Sequence, residues 1–338
     1  MSTELDQKTT ADPEATPVVI SRTAGDRIAG LSLRFGVVVA LVLTVILARV
    51  FYSGFLGSAN IWDLISENVP VGLVALGMTF VIIAGGFDLS AGSIMSLCAV
   101  IYTSASNHMS LPLAALFVIG VGLFAGLING VLVTRMRITP FIATLGTGSV
   151  YGGAAYIYEH SNPISSTRHG FATLGNNDWL GIPIDIYLLA VFVLISGVLL
   201  VKTKLGRSMY AIGGNAEASR LCGIRVNGIV SLTYVLTGLA AAVAGIVIAS
   251  QLGTIYGDIG ATTSLQAIEI VVIGGTSLYG GEGAIWRTVI GLLILSALTN
   301  VLNAKAIDSN WQNVVLGGVL VAAVSLDVFA RRVGRRAG

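Results

Sequence analysis

The chain has 338 residues, 54% of them hydrophobic and only 11% charged, with a mean hydropathy of +0.86. A soluble domain carries about a quarter charged residues, so this composition excludes a water-exposed globular fold and calls for lipid as solvent. The net charge of +2 gives no sign of nucleic-acid binding, and the 42 glycines suit helices that approach one another closely in a membrane.

The first 30 residues are polar and read as a disordered cytoplasmic tail. They lack the basic start and early apolar run of a secretory signal. Residues 31–332 read as one membrane domain, with its longest inside loop at 202–225, and residues 333–338 as a short basic cytoplasmic tail. A membrane-spanning helix needs about 20 mainly apolar residues. About ten such segments follow in order: Leu33–Tyr52, Val69–Gly86, Leu89–Ser106, Leu111–Thr134, Pro140–Tyr158, Ile184–Val201, Val226–Ser250, Leu265–Tyr279, Ile285–Leu302 and Trp311–Phe329. Spans 2 and 3 nearly touch, and span 8 is short. The expected fold is all-α, a polytopic membrane helical bundle of about ten transmembrane helices with both termini cytoplasmic.

Basic residues orient this map. With the N-terminus inside, only Arg49, Arg168 and Lys305 of the 19 basic residues fall on the outer face. Basic loops resist translocation, so the asymmetry supports the numbering of the spans. Trp62, Trp179 and Trp311 then lie near the outer surface and Trp286 near the inner one, where indole rings favour the headgroup zone.

Span 4 contains GLFAGLING, which puts Gly122, Gly126 and Gly130 on one helix face for close packing. Span 5 adds Gly148 and Gly152. A second glycine pattern repeats: GGFDLSAG from Gly85 to Gly92 and GGTSLYGG from Gly274 to Gly281, each after a valine/isoleucine run. Paired glycines weaken a helix, and matching interruptions in two halves of a transporter point toward its pathway. Gly85, Gly86, Gly274 and Gly275 are therefore the expected helix breaks.

Polar groups inside the spans are sparse. Asp88, Ser93, Ser96, Asn129, Thr144, Gln266, Glu269 and Asn300 are candidates to line a translocation pathway, because hydroxyls and amides can hydrogen-bond a neutral polyol without trapping it. The competing reading for each is interhelical hydrogen bonding, and Asp88 could cap the start of span 3. Cys98 and Cys222 read as small structural residues, and His108, His160 and His169 as solvated loop residues. No metal site is expected, since no spacing fits a ligand set.

The segment from Lys202 to Arg225 is the longest inside loop. Gly213-Gly214 reads as a turn, Asn215 as an N-cap, Glu217 as a first-turn acid and Gly223 as a left-handed terminator. The result is a helix of about two turns outside the membrane, too short to persist unless it docks on something.

GGFDLSAGS, TPFIATLG, GGNAEASRLCGI and VVIGGTSLYGGEG, in this order along the chain, resemble the permease subunits of ribose-type monosaccharide ABC importers. The similarity runs through spans 1 to 10. It implies the membrane subunit of an ATP-driven importer in the cell (inner, or plasma) membrane, translocating a small polar solute, a monosaccharide such as a pentose. It also implies a permease homodimer, a cytoplasmic ABC ATPase and an extracytoplasmic sugar-binding protein. By the same resemblance, Asn215, Ala218, Arg220, Leu221 and Gly223 make or shape the contact with the ATPase. Cys222 departs from the family, which often has a small hydroxyl there. Gln266 stands where an acid is common, with Glu269 one turn later.

The chain has no GxxxxGK followed by Ser or Thr, so ATP and Mg belong on the partner and no cofactor is expected here. No catalytic constellation appears, and the chain is not expected to be an enzyme. Two alternatives stay open. The same machinery could carry a polyol, nucleoside, autoinducer or amino acid, and an ion-driven secondary transporter would need Glu269 or Asp88 as its coupling carboxylate.

Overall fold

The computed structural model describes residues 24–160 and 162–336. Fourteen helices appear among them. They are α1 (Ala24–Phe51), α2 (Ser58–Glu67), α3 (Val69–Ile83), α4 (Ala91–Ser106), α5 (Leu111–Thr134), α6 (Pro140–Tyr158), α7 (Thr173–Asn176), α8 (Ile184–Lys202), α9 (Lys204–Gly214), α10 (Ala216–Leu221), α11 (Val226–Leu252), α12 (Thr263–Ile273), α13 (Ile285–Ala304) and α14 (Ser309–Arg336). Four two-residue strands make two antiparallel pairs. β1 (Ile164–Ser165) pairs with β4 (Thr254–Ile255), and β2 (Asp178–Trp179) with β3 (Ile182–Pro183). The fold is all-α and polytopic. Residues 37–338 form one compact unit, described below.

Each of the ten apolar segments falls on a helix, and α5 and α6 begin and end where spans 4 and 5 were drawn. Among the described residues, α5, α8, α11 and α13 are each long and apolar enough to cross a membrane alone. Taken together, α2 and α3 also have the length and composition of a span, but they are bent by 52° at Asn68, where Pro70 enters the new helix. At 1.5 Å per residue, the 11 residues of α12 reach roughly 16 Å, about half the hydrocarbon thickness. The polar tail drawn over residues 1–30 lies outside the described residues up to residue 23, and the backbone is helical from Ala24. At the other end α14 continues to Arg336, so the tail drawn at 333–338 is helical over its described part.

Sequence explains several helix ends. Pro at the first or second position opens α3, α5 and α6, where its missing N–H costs no hydrogen bond. Gly253, at φ 70°, closes α11 in the left-handed conformation.

The centre of the unit is α11, which packs on α3, α4 and α5. Every residue of α3 except Val71 is buried, as expected of a helix apolar on all sides. The α5–α11 seam is built from backbone. A Cβ on Gly122 would lie 2.5 Å from both Ala242 Cβ and Gly238 O. One on Gly126 would meet Tyr234 O, and one on Gly130 would meet Ser231. The glycine face read from the sequence is thus a packing face. The outward sides of α5 and α8 expose Leu116, Phe117, Phe124, Leu194, Ile195 and Val201, the apolar surface a bilayer covers.

Candidate translocation core and coupling segment

Both glycine breaks end a helix in the same way. After α3, Gly85 N–H donates to Ile82 O at 2.9 Å and Gly86 N–H to Val81 O at 2.9 Å, with Gly85 at φ 85°. After α12, Gly275 N–H donates to Val272 O at 2.8 Å and Thr276 N–H to Val271 O at 3.1 Å, with Gly275 at φ 82°. These are paired Schellman closures, in which a left-handed residue lets two N–H groups reach back to helix carbonyls. They correct the frame of the repeat by one residue. Gly85 corresponds to Gly275, not to Gly274, and VIIAGG aligns with VVIGGT. Of the four expected break glycines, only Gly85 and Gly275 take positive φ. Gly274 caps α12 in helical geometry, and the position needs glycine for space, since a Cβ there would strike Arg287 O on α13.

The first break opens into a buried polar seam between α4, α5, α6 and the approach to α12. Asp88 Oδ1 accepts from Ser90 N at 3.0 Å and from Ser90 Oγ at 2.6 Å. Asn129 Nδ2 donates to Ser90 Oγ at 2.6 Å, and Thr147 Oγ1 donates to Asn129 Oδ1 at 2.7 Å. Thr144 Oγ1 accepts from Leu89 N at 3.0 Å. Ser264 Oγ accepts from Gly92 N at 2.8 Å and donates to Leu89 O at 2.9 Å, and Ser96 Oγ accepts from Gly260 N at 2.8 Å. Unpaired polar groups in lipid cost several kcal/mol, by order of magnitude, so this chain of bonds is what lets most of these polar atoms stay buried. Asp88 does not cap α4. It serves Ser90, the residue before the helix, and its Oδ2 has no partner.

The eight pathway candidates therefore separate. Asp88, Ser96, Asn129 and Thr144 are buried in this hydrogen-bonded seam. Glu269 is buried on α12 with Oε2 unpaired. Asn300 exchanges two amide hydrogen bonds with Asn60, at 3.0 and 3.2 Å, tying α13 to α2. Ser93 and Gln266 are partly exposed.

A second cluster was missed in the sequence. Buried Asp185, in the first turn of α8, accepts through Oδ2 from Ser66 Oγ at 2.6 Å and Gln251 Nε2 at 2.8 Å. It joins α2, α8 and α11. The available signal was an acid in the first turn of an otherwise apolar span.

The segment at 202–225 is more structured than a loop. Thr203 Oγ1 caps α9 by accepting from Gly206 N at 3.2 Å, and α9 buries Met209 and Ile212. Gly213-Gly214 is not a turn but the last two residues of α9. The turn falls on Asn215, extended at φ −161° and ψ 104°, which ends α9 and starts α10. Asn215 Oδ1 accepts from Ala218 N at 2.9 Å, as an N-cap does. Gly223 follows α10 at φ 81°. All of α10 except Ser219 is exposed. Leu221 keeps 83% of its surface free, and Arg220 reaches Glu217 at 2.6 Å. Among the described residues no group of three or more His, Cys, Asp or Glu could hold a metal ion.

Lipid-facing helices around a polar seam, two matched helix breaks and an exposed capped helix outside the bundle define a membrane permease subunit. Residues 60–324 match the family described as branched-chain amino acid transport system, permease component, and the chain belongs to that family. It is 39% identical over 301 residues to the ribose import permease protein RbsC of Bacillus subtilis, covering 88% of this chain and 94% of that protein. It is 34% identical over 294 residues to RbsC of Escherichia coli K12 (86% and 92%). It is 33% identical over 306 residues to the fructose import permease protein FrcC of Rhizobium meliloti (87% and 85%). No solved structure matches. The chain is thus a ribose-type ABC importer permease subunit, non-catalytic and multi-pass in the inner membrane.

Proposed function

We propose that this chain forms the passage through which a monosaccharide enters the cell, as a homodimer driven by a separate ATPase that binds ATP and Mg. An extracytoplasmic binding protein delivers the sugar. The names of its relatives support the cargo class, since they import ribose and fructose. The observation that carries the mechanism is the exposed helix α10. Leu221 stands almost wholly free at the end of a capped helix anchored at both ends, which is the form of a preorganised apolar plug for a partner's cleft.

In this reading the bundle crosses the membrane ten times with both termini inside, and Asn215, Ala218, Arg220, Leu221 and Gly223 meet the ATPase. Ser93 and Gln266 are the candidates that face the passage, because they combine partial exposure with free hydrogen-bonding capacity. The buried seam residues hold the break in shape beside it.

The test is uptake into proteoliposomes holding the permease, its ATPase and its binding protein, with labelled ribose and with fructose, allose and arabinose as competitors. ATP-dependent ribose uptake that Leu221→Asp abolishes is the expected result. Uptake driven by an ion gradient without ATP overturns the reading. Competition by an amino acid but by no sugar overturns the cargo.

A further inference from the structure

The two helix breaks lie 190 residues apart in sequence, yet the first break and the loop that follows the second meet at the same residue. Gly213, two residues before the Asn215 turn, sits where a Cβ would overlap Ile83 O, at the end of α3, and Gly281 N, in the loop after α12. Those two groups are bonded to each other, with Gly281 N–H donating to Ile83 O at 2.9 Å. Gly280, at φ 84°, closes the remaining side. A Cβ on it would lie 3.0 Å from Gly85 Cα, 3.0 Å from Gly213 O and 3.1 Å from Gly213 Cα. Three chain segments thus meet backbone against backbone, with no side chain between them. A separate bond fastens α9 to the second loop, where Tyr210 Oη donates to Gly283 O at 2.7 Å.

From this node to α10 there are two residues, Gly214 and Asn215. Asn215 is fixed at both ends, since its N–H donates to Ala211 O at 3.0 Å and its side chain caps α10. A displacement of α10 has little slack in which to dissipate. Flexible side chains absorb small shifts by changing rotamer, whereas backbone packed on backbone has no rotamers to change.

We infer that Gly213 and Tyr210 are positioning residues that lock the coupling helix to the first helix break and to the loop that follows the second, so that one movement of α10 is delivered to α3–α4 and α12–α13 together. This rests on the proposed ATPase contact at α10. It adds where the movement goes and why two copies of the break exist.

The experiment measures ATP hydrolysed per sugar transported in the reconstituted complex of permease, ATPase and binding protein. Gly213→Ala inserts a methyl into the node. Gly214→Ala makes the same change one residue on, where no atom lies within 4 Å. Tyr210→Phe keeps the ring and removes only the bond to Gly283. The expected outcome is a several-fold rise in ATP per sugar for Gly213→Ala and a smaller rise for Tyr210→Phe, with the ATPase still co-purifying and Gly214→Ala at the wild-type ratio. If Gly213→Ala does not accumulate in the membrane, Tyr210→Phe decides. A wild-type ratio in Tyr210→Phe and in any folded Gly213→Ala, or an equal rise in Gly214→Ala, overturns the inference. Failure of the proposed function looks different, because the wild-type complex itself then shows no ATP-dependent uptake.

Discussion

The α5–α11 seam makes the sharpest stability prediction, because two glycines on one helix serve as each other's control. Gly122→Ala places a methyl 2.5 Å from Ala242 Cβ and from Gly238 O. Carbon atoms pack at about 3.5–4.0 Å, so α5 must retreat from α11 by roughly 1 Å. Overpacking of this size costs about 1–3 kcal/mol. Gly120→Ala lies two residues away, where a Cβ meets nothing within 4 Å. It removes a flexible residue from a helix interior, which favours the fold by up to about 1 kcal/mol. The two variants should therefore separate by roughly 1–4 kcal/mol, with Gly122→Ala the less stable. Thermal denaturation of the detergent-solubilised protein, followed by loss of monodisperse material, reads this as a lowered midpoint for Gly122→Ala and an unchanged or raised one for Gly120→Ala. Equal midpoints would refute the claim that close backbone approach, rather than glycine content, holds the seam.

Three further outcomes are expected. Asn215→Ala removes the α10 cap at a cost of about 1 kcal/mol, and faster amide exchange at residues 216–222 with unchanged exchange in α11 is the check. Asp185→Leu leaves Ser66 Oγ without its acceptor and Gln251 Nε2 with only Ser66 O, and destabilises by about 1–3 kcal/mol, whereas Asp185→Asn retains an oxygen for both and stays closer to wild type in the same melting assay. Asn60→Leu and Asn300→Leu should each destabilise, and the double variant should cost less than their sum by about 0.6 kcal/mol, the usual size of an interhelical pair in lipid.

The helices were legible because a run of about 20 apolar residues is a local property, and neither Leu111–Thr134 nor Pro140–Tyr158 needs a distant contact to define its ends. The cap at Asn215 and the left-handed Gly223 were legible for the same reason. The breaks were visible but misframed. Aligning the glycine pairs matched Gly85 with Gly274, whereas the equivalent residue is the one that follows the last helical turn, and that is set by where the valine/isoleucine run stops. What stayed hidden depends on partners far along the chain. Asn60 and Asn300 are 240 residues apart, and Ser66, Asp185 and Gln251 come from three helices. Nothing local tells Gly213 from Gly214, since only the arrival of Ile83 and Gly281 makes one of them indispensable.

That dependence on glycine follows from the solvent. In water, α3, α5 and α11 could be held by burying leucine against leucine, but lipid tails are as apolar as leucine and offer no such gain. Association must come from dispersion at short range and from hydrogen bonds that have no competing water. The first demands small residues, as at Gly122, Gly126 and Gly238. The second demands chains of polar groups, as from Asp88 through Ser90 and Asn129 to Thr147. Both are steep functions of distance, so a seam either fits or opens and has little intermediate range. A transporter that switches between two states needs joints of this kind. Close backbone contacts of this kind lie where α5 meets α11 and where Gly213 meets Ile83 and Gly281, beside the helix ends at Gly85 and Gly275.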